Sequence, residues 1–394
     1  MTPPPSQPVD RARAQAANAR AMAALREGDA PAAILAAHEA AHADPGALSL
    51  WINLALACRL GGDAPGERAA LERALDLDRL DFTAQLRMAQ WLQREGDETK
   101  ALVAWDGVRQ LAQHFPGLPE PVRAELAAGE AYCAALRSQI AEATEAALAA
   151  DADARDETEQ RRITAFAGAA LGQRRIYANE CAGLHYPFLP ADEFFDSRHF
   201  PWFAALEAEA GAIRAELEAL LAQPGEALRP YVKMEPGSPE NKWTALDGSL
   251  DWSACFLWEY GVPNAAVIER CPHTARVLES LPLARIPGRA PNAFFSMLRP
   301  HSRIPAHTGV TNTRAIVHLA LDVPPGCGFR VGGETREWVE GKAFAFDDTI
   351  EHEAWNNSDA RRAVLIIDAW NPHLSPRECA AISAYFAASD AALG

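Results

Sequence analysis

A chain of 394 residues is longer than one hydrophobic core ordinarily supports, so roughly two domains are expected. Apolar residues make up 49% and charged residues 23%, which excludes the disordered and fibrous classes. The formal net charge of -16 sets the surface against phosphate backbones and anionic headgroups, so neither nucleic acid nor a membrane surface is an expected partner.

No run approaches the roughly 20 apolar residues that span a bilayer. The start, MTPPPSQPVDRARAQ, lacks the apolar centre of a signal peptide, so a cytoplasmic protein is expected. The seven cysteines are scattered with no C-x-x-C pair, and read as mostly buried free thiols rather than zinc or redox ligands.

Residues 1–9 are Pro-rich and polar, and read as a disordered tail. Residues 10–160 are Ala- and Leu-rich at helical spacing, with almost no β-branched runs. Within them EGDA, GGDA and EGDE place Gly28, Gly62 and Gly96 at intervals of 34 residues. Gly accepts the left-handed conformation that ends a helix, and the Asp after it caps the next one. Ala40 and Ala74 keep the same period, as do Asp44 and Asp78. A helix-turn-helix unit of that length is similar to tetratricopeptide repeats, and three units are about the minimum for a stable stack.

The charged run DADARDETEQRR at 151–162 marks the end of this region, and residues 161–394 read as a second domain. An amphipathic helix is predicted over about 201–223. From Asn292 onward the chain breaks into short apolar runs, AFFSML, RAIVHLAL, GFRVG, TREWV, KAFAFDD, HEAWN and AVLIIDAW, separated by Gly, Pro and Asn. That rhythm predicts an antiparallel barrel or sandwich. The expected class is α+β, an all-α repeat domain followed by a double-stranded β-helix, or jelly roll.

Two histidines flank the strand series. His307 stands in RIPAHTGVTN before one strand, and His352 stands 45 residues later in FDDTIEHEAWNN. A compact barrel can bring such strand ends together, and imidazole suits divalent iron. Arg362 follows the second His by ten residues, where a fixed cation could grip the distal carboxylate of a keto acid. Either His alone is more often structural than a metal ligand. The usual facial triad has a carboxylate two residues after its first His, but here that residue is Gly309, which leaves iron two protein ligands. Asp348 could orient a metal-bound water, or be an ordinary turn Asp.

The run 271–372 resembles the catalytic domain of the aspartyl/asparaginyl β-hydroxylases, carried by H-x-G-x-x-N-x-R at 307–314 and F-D-D-x-x-x-H-E at 346–353. Weaker similarity extends upstream through WSACFLWEYG and YPFLPADEFFDSRHFPW. The animal enzyme of this family also carries tetratricopeptide repeats before its oxygenase domain. The resemblance implies an iron(II)- and 2-oxoglutarate-dependent dioxygenase, using O2, that hydroxylates the β-carbon of an Asp or Asn residue. It implies His307 and His352 as metal ligands, and Arg362 with Ser296 on the distal carboxylate of 2-oxoglutarate. It places His318 at the keto-acid end, Arg314 toward a substrate carboxylate and Trp252 in the pocket wall.

One departure bears on the substrate. Family members with a second Arg two residues after the position of Arg314 have no counterpart here, since Ile316 stands there. Other readings stay open: a hydroxylase or halogenase of a small amino acid, carrier-bound residue or lipid, and a non-catalytic repeat adaptor with a cupin-like module. The repeats favour a peptide or protein substrate, because stacked helix pairs present a concave binding face.

Overall fold

The computed structural model describes residues 9–150 and 152–393, so nearly all of the expected N-terminal tail lies outside the described residues. The chain divides into two compact units between Ala154 and Arg155, six residues before the division expected from the sequence.

The first unit is a run of helix pairs: α1 (Arg11–Glu27) with α2 (Ala30–Ala43), α3 (Leu48–Leu60) with α4 (Ala64–Leu77), and α5 (Phe82–Arg94) with α6 (Glu98–Ala112), then the long α7 (Glu120–Ala149). Gly28, Gly62 and Gly96 have φ of 79°, 74° and 74°, a conformation that costs a Cβ-bearing residue free energy. Asp29, Asp63 and Asp97 each accept a backbone N–H three residues on, capping α2, α4 and α6. The seams are lined by alanines that exclude solvent, Ala17, Ala21, Ala33, Ala41, Ala57 and Ala74 among them, so paired helices approach closely. This is the tetratricopeptide-type repeat that the spacing of the Gly-Asp pairs predicts.

The second unit begins with α8 (Glu157–Ala170), α9 (Phe203–Ala208) and α10 (Ala210–Ala222); the single helix expected over 201–223 is therefore broken at Glu209. Then come β1 (Arg229–Pro230), β2 (Trp252–Glu259), β3 (Val262–Pro263), α11 (Ala265–Ile268) and α12 (Pro272–Ser280). They are followed by β4 (Ala293–Leu298), β5 (Ser302–His307), β6 (Arg314–Asp322), β7 (Cys327–Val331), β8 (Glu334–Arg336), β9 (Ala343–Phe346), β10 (His352–Asn356), β11 (Arg362–Trp370) and α13 (Pro376–Leu393). Strands β1, β2, β4, β11, β6 and β9 lie in that order in a seven-stranded sheet, with β3 paired to β2. Strands β5, β10, β7 and β8 form a four-stranded sheet. From β4 to β11 the chain passes back and forth between the two sheets, the winding of a jelly roll.

Alternation along the strands separates the two faces of the larger sheet. Cys255, Leu257, Phe295, Met297, Val317, Leu319, Leu365 and Ile367 pack with Phe203, Leu206, Ile213, Leu217 and Leu278 of the helices. Fully burying one such side chain contributes about 2 kcal/mol, so this face anchors the sheet. The opposite face, with Trp252, Leu298, Ile316, Ala320 and Val364, meets Ile304, Phe329, Val331 and Ala354 of the smaller sheet. The site lies within that second layer. No described helix is long and apolar enough to cross a membrane.

Candidate active site

His307 ends β5 and His352 begins β10, and the two are direct partners in the antiparallel register. Their ring centroids are 4.1 Å apart. Nδ1 of His307 lies 2.8 Å from the Pro305 carbonyl and Nδ1 of His352 lies 3.0 Å from the Ile350 carbonyl. A carbonyl only accepts, so each Nδ1 carries the proton and each Nε2 keeps a lone pair. Burial lowers the His307 pKa to about 4, and burial reinforced by His307 holds His352 well below the usual imidazole range. Both rings are neutral donors at neutral pH, the form that binds a metal ion.

Asp347 and Asp348 differ sharply. Asp347 accepts from Thr349 and from Asn179 at 2.7 Å, whereas Oδ1 of Asp348 is enclosed and has no partner among the described residues. Burial pushes the Asp348 carboxyl up to about 7, opposed by nearby Arg314. The same carboxylate occupies the space beside Gly309, where an added Cβ would overlap it. Gly309 is further fixed by its N–H, which donates to the Asp348 carbonyl at 2.6 Å. Among the described residues, no group of three or more His, Cys, Asp or Glu is arranged to hold a metal ion.

Arg362 is 1% exposed and belongs to the sheet face that carries Ser296 and Trp252. One terminal nitrogen reaches the Ser296 carbonyl at 3.3 Å and its Oγ at 3.4 Å, and the guanidinium lies 4.9 Å from the Trp338 ring centroid. Its Nε has no partner, and burial lowers its pKa to about 10. No carboxylate among the described residues is paired with it, an unusual state for a buried cation. Ser296 also accepts from Trp252 Nε1 at 3.1 Å, which leaves the hydroxyl proton free to be donated.

His318 is enclosed by Phe329, Phe344 and Phe346, and accepts from Trp338 Nε1 at 3.3 Å through Nδ1. Burial beside Arg362 keeps it neutral, so its proton is on Nε2. Trp252 stacks on Tyr231 with centroids 3.8 Å apart and lies 6.3 Å from the His307 ring. The structure thus gathers His307, His352, Asp348, Arg362, Ser296, His318 and Trp252 around one space between the sheets. Arg314 borders it but is already engaged, donating to Asp368 at 2.6 Å, with Asp368 buried and Arg314 half-buried.

Four contributors escape the sequence reading. Trp243 stands 5.0 Å from the His307 ring, Lys242 donates to the Ala306 carbonyl at 2.9 Å, Trp338 joins His318 to Arg362, and Asp368 holds Arg314. An isolated Trp in a polar run, as in NKWTALD and TREWVEG, was the signal available for two of them.

The family model described as Aspartyl/Asparaginyl beta-hydroxylase matches residues 207–372. The ornithine lipid ester-linked acyl 2-hydroxylase of Rhizobium tropici is 36% identical over 200 residues, covering 50% of this chain and 67% of that protein. The aspartyl/asparaginyl beta-hydroxylase of Homo sapiens is 37% identical over 129 residues, covering 32% of this chain but 17% of the human protein. Among solved structures, the TPR2B domain of yeast Sti1 aligns with 32% of this chain and 98% of that chain, at 19% identity and a TM-score of 0.29. With a profile match that spans both histidine motifs and a bacterial relative matched over two thirds of its length, this chain belongs to the aspartyl/asparaginyl β-hydroxylase family.

Proposed function

We propose that this protein is an iron(II)- and 2-oxoglutarate-dependent dioxygenase that hydroxylates an unactivated C–H bond. The observation that carries this reading is Arg362, a buried guanidinium with no carboxylate partner among the described residues, linked through Ser296 to Trp252, which lies 6.3 Å from the His307 ring. Leaving a charge in that state costs several kcal/mol, a cost that an arriving dianion would offset.

The residues present fit iron and its cosubstrate. His307 and His352 would hold the metal through Nε2, the lone pairs their backbone contacts leave free. Arg362 and the Ser296 hydroxyl would bind the distal carboxylate of 2-oxoglutarate, while the Nε2 proton of His318 would be donated to the keto-acid end. When bound, the metal and cosubstrate supply the oxidising chemistry, in which 2-oxoglutarate and O2 become succinate and carbon dioxide and one oxygen atom enters the substrate. Asp348, whose carboxylate fills the room beside Gly309, would accept a hydrogen bond from a water through its unpartnered Oδ1 and orient it. A carboxylate in that room also disfavours chloride, which supports hydroxylation over halogenation. Trp252, Trp243 and Tyr231 would keep the reacting end dry, and Arg314 would border the substrate.

The substrate would be either the β-carbon of an Asp or Asn residue or an acyl chain, the two classes that the names of the relatives print for those proteins. The helical repeats would hold a peptide or protein partner. The test is succinate release that needs both iron(II) and 2-oxoglutarate and is lost in His307→Ala and His352→Ala. Turnover that survives either substitution overturns the reading.

A further inference from the structure

On the larger sheet, the face that carries Ser296 and Arg362 continues away from them as an apolar row. Phe256 is the register partner of Phe294, Phe294 of Ile366, and Ile366 of His318, so these side chains lie side by side. Tyr231 stacks over Phe294 with centroids 5.5 Å apart and is 39% exposed, while Phe256 and Ile366 are half-buried. Beyond them Asp368 partners Ile316 in the register, and Ile316 is buried on this same face.

The charges along this row do not suit an acid. Arg314, the cation nearest its far end, is neutralised by Asp368, and the neighbouring position that could add another is Ile316. Arg362 is taken by the cosubstrate in the reading above. Lys242 and Arg229 stand at the rim, the first bonded to the Ala306 carbonyl and the second paired with Glu259. Asp348 also acts on Arg314, so that cation already has two acidic neighbours and is not free for a substrate carboxylate.

We propose that the group presented to the His307–His352 centre is an uncharged aliphatic chain of the fatty acyl class, lying along Tyr231, Phe256, Phe294 and Ile366. The proposal rests on the reading of those histidines as the reacting centre, and Ile316 becomes a specificity-determining residue because an arginine there would restore a grip on an acidic side chain. Each methylene laid on this floor leaves water, and no buried cation is left over to demand a counter-charge.

The test uses full-length protein and the uncharged probe N-dansyl-hexadecylamine, followed by its fluorescence. Palmitoylglycine, phosphatidylcholine vesicles and an Asp-containing peptide are the competitors, and 2-oxoglutarate binding is measured on the same sample. The probe should bind, be displaced by an acyl competitor and not by the peptide, and bind about tenfold more weakly to Ile366→Asp, with a smaller loss for the milder Phe256→Ala. Melting curves identify the folded variants. Displacement by palmitoylglycine alone supports a soluble acyl donor, and displacement by vesicles supports a lipid-borne one. Displacement by the peptide, or affinity unaltered in both folded variants, overturns the proposal. A protein that binds 2-oxoglutarate but not the probe overturns the proposal and leaves the reaction standing, whereas failure to bind 2-oxoglutarate overturns both.

Discussion

The carboxylate of Asp348 stands where a Cβ on Gly309 would have to go. Gly309 has no positive φ, so the backbone does not require glycine there; the room does. Gly309→Asp, which would supply the third ligand of a conventional triad, should therefore collide with Asp348, destabilise the protein by about 2 kcal/mol and weaken iron binding. The double variant Gly309→Asp with Asp348→Gly should bind iron(II) more tightly than either single variant, as read by competition with a chelator. Tighter binding by Gly309→Asp alone would contradict this account of the two positions.

Arg362 makes a second expectation quantitative. Arg362→Met removes a buried, unpaired cation and keeps an unbranched chain against Trp338, so the ligand-free protein should melt a few degrees higher. The same change should weaken 2-oxoglutarate binding by about 3 kcal/mol, roughly a hundredfold, through the lost charge-assisted contacts. A stabilised variant with unaltered 2-oxoglutarate affinity would show that the guanidinium serves some other ligand.

Much of this site is legible in the sequence because its parts sit in two short motifs, H-x-G-x-x-N-x-R and F-D-D-x-x-x-H-E. The fold hides more. Strand β5 carries Pro305 and no alternation, and its strand character comes from pairing with β10; as an edge strand it tolerates the missing N–H. Strand β2 is buried along both faces, so its continuous apolar run has no period to read. Trp243 lies in an irregular segment whose position is set by packing alone. The engagement of Arg314 joins residues 54 apart in sequence, and no local pattern announces it.

Helix α8 belongs with the β unit, although the charged run at its start looks like a linker. Arg161 donates to Glu334 at 2.6 Å and to the Phe194 carbonyl at 2.7 Å, and Thr158 bonds Asp196. A chain beginning at Arg155 should fold and keep 2-oxoglutarate binding, while one beginning at Leu171 should melt several degrees lower. Equal melting temperatures would show that these contacts contribute nothing measurable.

Cysteine reactivity checks the packing of both units. Cys58, Cys133, Cys255, Cys271 and Cys327 are buried, and burial pushes the Cys255 and Cys271 thiols up to about 12 and about 11. A thiol reagent should modify Cys181 and Cys379 in the native protein and reach the remaining five only after unfolding, as counted by mass spectrometry. Rapid native labelling of Cys255 would mean that the sheet does not pack against the helices as described.

A two-histidine iron site with its cosubstrate anchored on Arg362 can be observed by an anaerobic titration of the full-length protein with iron(II) and 2-oxoglutarate, followed by the charge-transfer absorption of a chelated 2-oxo acid. The band should form in the natural protein, vanish in His307→Ala and in His352→Ala, and need about a hundredfold more 2-oxoglutarate in Arg362→Ala. A band that persists without either histidine, or that develops at the same 2-oxoglutarate concentration without Arg362, would contradict it.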